Sequence, residues 1–178
     1  MHDMEESLRS QLLIASPRLV DYFRRTVVLV LEHTEEGAMG LVLNRPSDAP
    51  VRDAVPGLAD LGESDAVVHV GGPVQPQAVI ALGEFADPGD ASRLVAGDLG
   101  VVDPDNADVE LRRARVYAGY AGWGPEQLDV EMEEDAWIVE PVDPDDPFQD
   151  DDLWPAALQR KGGEYALLAR MPVDPSLN

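Results

Sequence analysis

The chain predicts an α+β fold. Residues 1–178 read as a single domain, with a mixed, largely antiparallel sheet that is open to bifurcation or barrel-like curling and is flanked by short helices. Three observations lead there. Strand-like runs outnumber helix-like ones. They do not alternate in strict βαβ order. Two neighbouring runs, Thr26–His33 and Met39–Asn44, flank the turn signal Glu35-Glu36-Gly37 and read as a hairpin with a loop of about four residues. A chain of 178 residues suits one domain and buries roughly 70% of its unfolded surface.

Taken in order, Leu12-Leu13-Ile14-Ala15 is a short apolar run and predicts a buried strand. Ser16-Pro17 marks a turn or a capped helix start, and with a helix start Leu19, Val20 and Phe23 form one face of a short helix ending at Arg24-Arg25. Valines 27, 28 and 30 make Thr26–His33 the strongest strand, and Pro46 ends its hairpin partner. Pro50 to Gly62 predicts a short helix or turn broken at Pro56-Gly57. Ala66–Val70 reads as a strand closing on the tight turn Gly71-Gly72-Pro73, and Gln77–Phe85 as another. Asp87–Asp90 is a turn, Leu99–Val102 a strand, and Asp103–Asp108 a polar loop. Leu153–Gln159 predicts a helix, with acids before it and Gly162-Gly163 after it; Tyr165–Met171 predicts a last strand or extended segment.

The stretch Arg115–Pro141 is the most structured message in the chain. A strand-like run at Val116–Ala118 meets three glycines, Gly119, Gly122 and Gly124. Pro125 then stands as the first residue of a helix that runs to about Glu134, and Trp137-Ile138-Val139 forms a strand. Glycines at these offsets between a strand and a helix suggest a phosphate-cradling turn. They do not match the dinucleotide fingerprint, and no Lys-Ser/Thr completes a nucleotide-triphosphate loop. The other reading is structural: glycine allows positive torsions at Gly119 or Gly122, so that Tyr120 and Trp123 pack closely. On that reading Trp123 and Trp137 belong to the core or line a pocket on it.

Acidic residues number 35 against 13 basic, a formal charge of −22. That balance opposes direct nucleic-acid binding, which draws on phosphate neutralisation, and it opposes docking on an anionic membrane. Arg112, Arg113 and Arg115 form the tightest basic cluster. There is no cysteine, so disulfides and thiolate metal sites are excluded. His2, His33 and His69 lie far apart and predict no shared metal site. Asp103, Asp105, Asn106 and Asp108 place oxygens at near-alternating positions but lack the glycine and terminal glutamate of a calcium loop. Asp143, Asp145, Asp146 and Asp150–Asp152 read as a solvated charge run. No serine has a nucleophile-elbow context, and Lys161 beside two glycines reads as an exposed turn residue. No catalytic, metal or cofactor set is therefore assigned. The acidic start lacks the regions of a signal peptide, and the apolar run Val27–Leu31 is too short to span a bilayer, so the cytoplasm is the expected location.

Several segments also carry a resemblance in order and spacing. They are Leu13-Ile14-Ala15-Ser16-Pro17, Gly40–Pro46, Gly71-Gly72-Pro73-Val74, Gly119-Tyr120-Ala121-Gly122-Trp123 with Pro125 and Gln127-Leu128, and Asp174–Asn178. Together they resemble the YqgE/AlgH family of bacterial proteins across nearly the whole chain. One departure is Glu126, where the family reads glycine; a carboxylate there disfavours a bound anion. The resemblance implies a fold and no established catalytic residues. One branch is named for transcriptional control of alginate synthesis, which implies a regulatory role. The resemblance also singles out Asn44-Arg45-Pro46, where Arg45 suits a carboxylate or phosphate, in the first place one of the protein's own acids. Candidate ligand-binding residues are therefore Gly119, Tyr120, Gly122, Trp123, Asn44 and Arg45. The leading expectation is a non-enzymatic protein that binds a protein or regulatory partner. The alternative is a small-molecule binder or enzyme with its pocket at the Gly119–Trp123 turn. Direct DNA binding ranks last.

Overall fold

The computed structural model describes residues 7–19, 21–58, 60, 66–103, 105, 109–149 and 152–170. Its longest element is the strand β9, Leu111–Trp123, and the other strands are arranged around it. At ~3.3 Å per residue such a strand extends for about 40 Å, long enough to belong to two sheets at once. The remaining strands are β1 (Gln11–Ala15), β2 (Val27–Thr34), β3 (Gly37–Val42), β4 (Pro46–Pro50), β5 (Val67–Val70), β6 (Val74–Phe85), β7 (Arg93–Ala96), β8 (Leu99–Val101) and β10 (Trp137–Pro141). Among the described residues, four short α-helices accompany them: α1 (Val51–Ala54), α2 (Gln127–Glu133), α3 (Leu153–Lys161) and α4 (Glu164–Leu168).

The strand order is β10-β1-β2-β3-β9-β6-β8-β7, with β5 joining β4 to β9 off this path. Every pairing is antiparallel except β5 with β9. β6 follows β9 along most of its length, while β5 meets it at Tyr117 and Ala118 and β3 takes over at Ala121–Trp123. The sheet therefore bifurcates at β9 and does not close into a barrel. The expected α+β class with a largely antiparallel sheet is what the chain forms.

Both faces of the β1–β3 region are buried, which explains the unbroken apolar runs in those strands. Leu12, Ile14, Leu29 and Leu41 point into a core capped by Trp154 and Leu158 of α3. Leu13, Val28, Val30 and Val42 point the other way, into a core closed by Leu128 of α2 and by Trp123 and Trp137. A third core, with Phe85, Val68 and Val116, lies under α1.

Several local expectations are corrected. The glycines at 119 and 122 do not make a turn; both lie inside β9, Gly122 opposite Met39 of β3 and Gly119 at the shift in the β6–β9 register between Ala118 and Tyr120. Gly119 does have a left-handed torsion, φ +77°, and a Cβ there would be driven into the Gly72 carbonyl oxygen. Gly122 has no such torsion. Pro125 falls in the turn before α2, and Glu126, at φ +63°, precedes the first helical residue. Of the two readings at Ser16-Pro17 the turn is the one formed: residues 17–18 and 22–25 are turns and no helix follows among the described residues, which exclude Val20. The hairpin loop is two residues, since Thr34 pairs with Gly37. β3 ends at Val42, before Pro46, and Pro46 itself opens the next strand, β4, at an edge position where its missing N–H is tolerated. The stretch after Gly163 is helical as α4, not a strand, and Met171 lies outside the described residues.

Candidate functional site

The candidate site grows from the pairing register. Glu32 stands opposite Met39, and Met39 opposite Gly122, so the three form one row on one face of β2, β3 and β9. A bulge between Val30 and Glu32 turns Glu32 onto this face beside Leu31. Further along the same face, α3 and α4 cover Leu29 and Leu41. At the hairpin end the cover stops, and Glu32, Thr34, Glu36 and Gly122 are exposed. The result is an open groove of about 500 Å³. Met39, Val74 and Tyr120 floor it, Trp123 meets it from the side, and Glu32, Thr34 and Glu36 rim it. Arg93 of β7 reaches the rim, with its guanidinium 2.9 Å from Glu32.

Beneath the groove lies a rigid support. Trp123 and Trp137 meet edge to face at 6.0 Å, and Phe23 packs against both. Both indole N–H groups donate to the same oxygen of Glu131, at 2.9 and 2.8 Å, and Gln127 donates to its other oxygen. Gln127 in turn accepts from the Gly124 N–H. One carboxylate on α2 thus fixes two tryptophans from different strands. His33, on the α2 side of the hairpin, accepts from the Leu8 N–H and lies 3.6 Å from Asp129.

Of the six candidate residues, the structure brings Tyr120, Gly122 and Trp123 to the groove. Gly119 is buried at the crossing of β9 with the Gly71-Gly72 connection. Asn44 and Arg45 lie beyond the far end of β3. Asn44 accepts from the Val27 N–H and donates to the Arg25 carbonyl, so its amide tethers the turn before β2. Arg45 holds no carboxylate among the described residues. It donates to the Arg24 carbonyl at 3.2 Å and lies over the Tyr22 ring.

Within the aspartate run, the part around Asp143–Asp146 is more than a solvated stretch, and Asp150 and Asp151 lie outside the described residues. Asp146 is buried, accepts both Arg160 Nη groups at 2.8 and 3.0 Å, and accepts the Asp143 N–H. These acceptors hold the Arg160 guanidinium protonated and push its pKa up. Arg113 binds Glu84 and Asp145 and is likewise raised, chiefly by those two hydrogen bonds. Lys161 is the last residue of α3 and donates to the Val139 carbonyl. Of the calcium-like loop, only Asp103 and Asp105 are among the described residues, and those residues contain no cluster of three metal-ligating side chains. No helix among them is long and apolar enough to cross a membrane.

This arrangement can be set beside known proteins. The model of the AlgH-like family (DUF179) matches residues 12–166. The chain belongs to the AlgH-like family. It is 44% identical to the UPF0301 protein of Streptomyces coelicolor, covering 97% of this chain and 96% of that one. A UPF0301 protein of Thermobifida fusca is 43% identical over the same shares. Among solved structures, the Corynebacterium diphtheriae protein DIP2367 aligns with a TM-score of 0.81 at 28% identity, covering 90% and 91% of the two chains. The AlgH protein of Pseudomonas aeruginosa aligns at 0.70 with 30% identity, covering 93% and 94%. The AlgH-like family is one of uncharacterised function, so the site must be read from its own chemistry.

Sequence reasoning missed Glu131, Glu32, Glu36 and Met39. Glu131 had a readable signal, since Gln127 four residues earlier places both side chains on one helix face beside two tryptophans. The groove residues had none, because their adjacency depends on strand register.

Proposed function

We propose that this AlgH-like protein is a non-enzymatic, cytoplasmic binding module whose docking surface is the uncovered end of the sheet, serving a protein partner in a regulatory role. The single observation that carries this reading is the groove, where a half-apolar floor of Met39, Val74 and Tyr120 meets solvent beside exposed polar groups. Such a floor with a polar rim is the usual composition of a protein-binding patch. The polar groups Glu32, Thr34 and Glu36 all stand on one hairpin in contact with water. A catalytic set converges from several elements in a desolvated cleft, and this disposition favours docking over turnover. The charge of −22 and the acidic rim favour a protein partner over nucleic acid.

The test is site-specific photo-cross-linking in cells, with a photoreactive residue at position 36 or, as a control, at position 130, whose valine is exposed on α2. A discrete protein adduct is expected from position 36 and none from position 130. Gly122→Leu, which fills the groove, should remove the adduct while the melting temperature stays within about 2 °C of wild type, a shift of under ~1 kcal/mol. Equal adducts from both positions, or an adduct insensitive to Gly122→Leu, would refute the reading.

A further inference from the structure

We infer that the groove captures a cationic side chain, an arginine or lysine on an extended segment of the partner, laid beside the Tyr120 ring between Glu32 and Glu36. This deepens the docking reading and rests on it.

The first support is Gly122. It sits mid-strand and exposed, at an ordinary extended torsion. A Cβ added there would lie 3.6 Å from Val74 Cγ2 and 3.7 Å from Tyr120 Cε1, which is ordinary contact. Glycine weakens a strand interior, and here neither torsion nor packing requires it. Its contrast is Gly119 in the same strand, which both torsion and backbone crowding hold to glycine. What Gly122 leaves is a slot against the backbone, bordered by an aromatic ring, into which an aliphatic stem fits.

The second support is the rim. Glu32 already accepts a guanidinium from Arg93 at 2.9 Å, so the carboxylate stands in a geometry that takes this group. Glu36 is exposed and has no cationic partner among the described residues. An aromatic face beside carboxylates attracts a cation by two additive routes, the ring quadrupole and the ion pair. The protein uses the same pairing elsewhere, with Arg113 over Phe148 at 4.5 Å while it binds Glu84 and Asp145. The third support is the long-range field: 35 acids against 13 bases steer cations inward and hold anions off.

The experiment is fluorescence anisotropy at near-physiological salt on the full chain. The probes are a short labelled peptide of alternating glycine and arginine, the same peptide with citrulline, and the same with glutamate. Citrulline keeps the shape of arginine and removes the charge. Wild type is expected to bind the arginine peptide and to bind the other two at least about tenfold more weakly, as for loss of a central contact. Gly122→Leu should weaken arginine-peptide binding by a similar ~10-fold. Glu36→Gln should weaken it by about threefold, the scale of one exposed ion pair. Glu133→Gln, on exposed α2 surface away from the groove, should change nothing. Equal binding of the citrulline peptide, still lost in Gly122→Leu, would overturn the cation assignment and leave the docking surface standing. Equal binding of the arginine peptide to Gly122→Leu would show diffuse attraction to an acidic surface and overturn both. No binding of the arginine peptide at millimolar concentration would overturn the cation assignment, with the cross-link at position 36 deciding the docking surface separately.

Discussion

Replacing Trp123 by alanine tests the support of the groove. The ring is 7% exposed, stacked with Phe23 at 6.4 Å and edge-on to Trp137. Truncating a buried tryptophan to alanine costs about 3–5 kcal/mol from lost transfer and the cavity left behind. Part of that is the hydrogen bond to Glu131 at 2.9 Å, and bonds to a charged acceptor contribute about 1.5–3 kcal/mol. Trp123→Phe keeps most of the ring and removes the N–H, so it should cost about 1.5–3 kcal/mol. For a domain of this length each kcal/mol lowers the melting temperature by roughly 2–4 °C. Trp123→Ala should therefore melt roughly 6–20 °C below wild type. Urea titrations followed by Trp fluorescence of the remaining indoles, with a double-mutant cycle against Glu131→Gln, separate ring packing from the hydrogen bond. If Trp123→Ala unfolds at the wild-type midpoint, the structural account of this cluster is wrong, and Trp123 serves a ligand alone.

Three further outcomes follow from particular contacts. Gly119→Ala should cost more than about 2 kcal/mol because its torsion is left-handed and its Cβ meets backbone, while Gly122→Ala should stay within about 0.5 kcal/mol of wild type; a thermal melt of both variants decides this. Tyr117 is fully buried, and burial raises its pKa above the ordinary 10.0, so the folded state holds its proton more tightly than the unfolded chain. Stability is therefore unaffected by this group below pH 10 and falls as pH rises above it, and Tyr117→Phe should flatten that alkaline limb in urea midpoints measured against pH. Arg160→Ala strands the buried Asp146 carboxylate and should cost about 3 kcal/mol, whereas Lys161→Ala should cost under about 1 kcal/mol; denaturant midpoints that rank them the other way would refute the buried-pair reading.

Much of this fold is legible in the chain because local chemistry and final environment agree. Leu12–Ala15 and Val27–Leu31 are continuous apolar runs, and both their faces are buried. Helix α3 begins where Asp152 precedes an apolar face and ends at Gly162, which takes φ +80°. Reading failed where a local signal was overruled. Three glycines in six residues signal a turn, yet β3 pairs with Gly122 and β6 with Ala118 and Tyr120, so the strand runs on past Gly119, whose left-handed torsion sits where the β6–β9 register shifts. The apolar run at Tyr165–Leu168 fits strand or helix equally by length, and packing of Tyr165 and Leu168 beside α3 favours the helix.

By itself, then, the sequence determined the class, the strands with strong β-branched character, the acidity, and the placing of Trp123 and Trp137 in the core. Tertiary structure alone decided which residues share a surface. Glu32, Met39 and Gly122 come from three strands up to 90 positions apart. They form one row because the bulge after Val30 and the β3–β9 register put them there. A one-residue slip in that register would send the row to the opposite face, and no local propensity encodes the choice. It is set by which face each strand must bury, and that requires all the strands together.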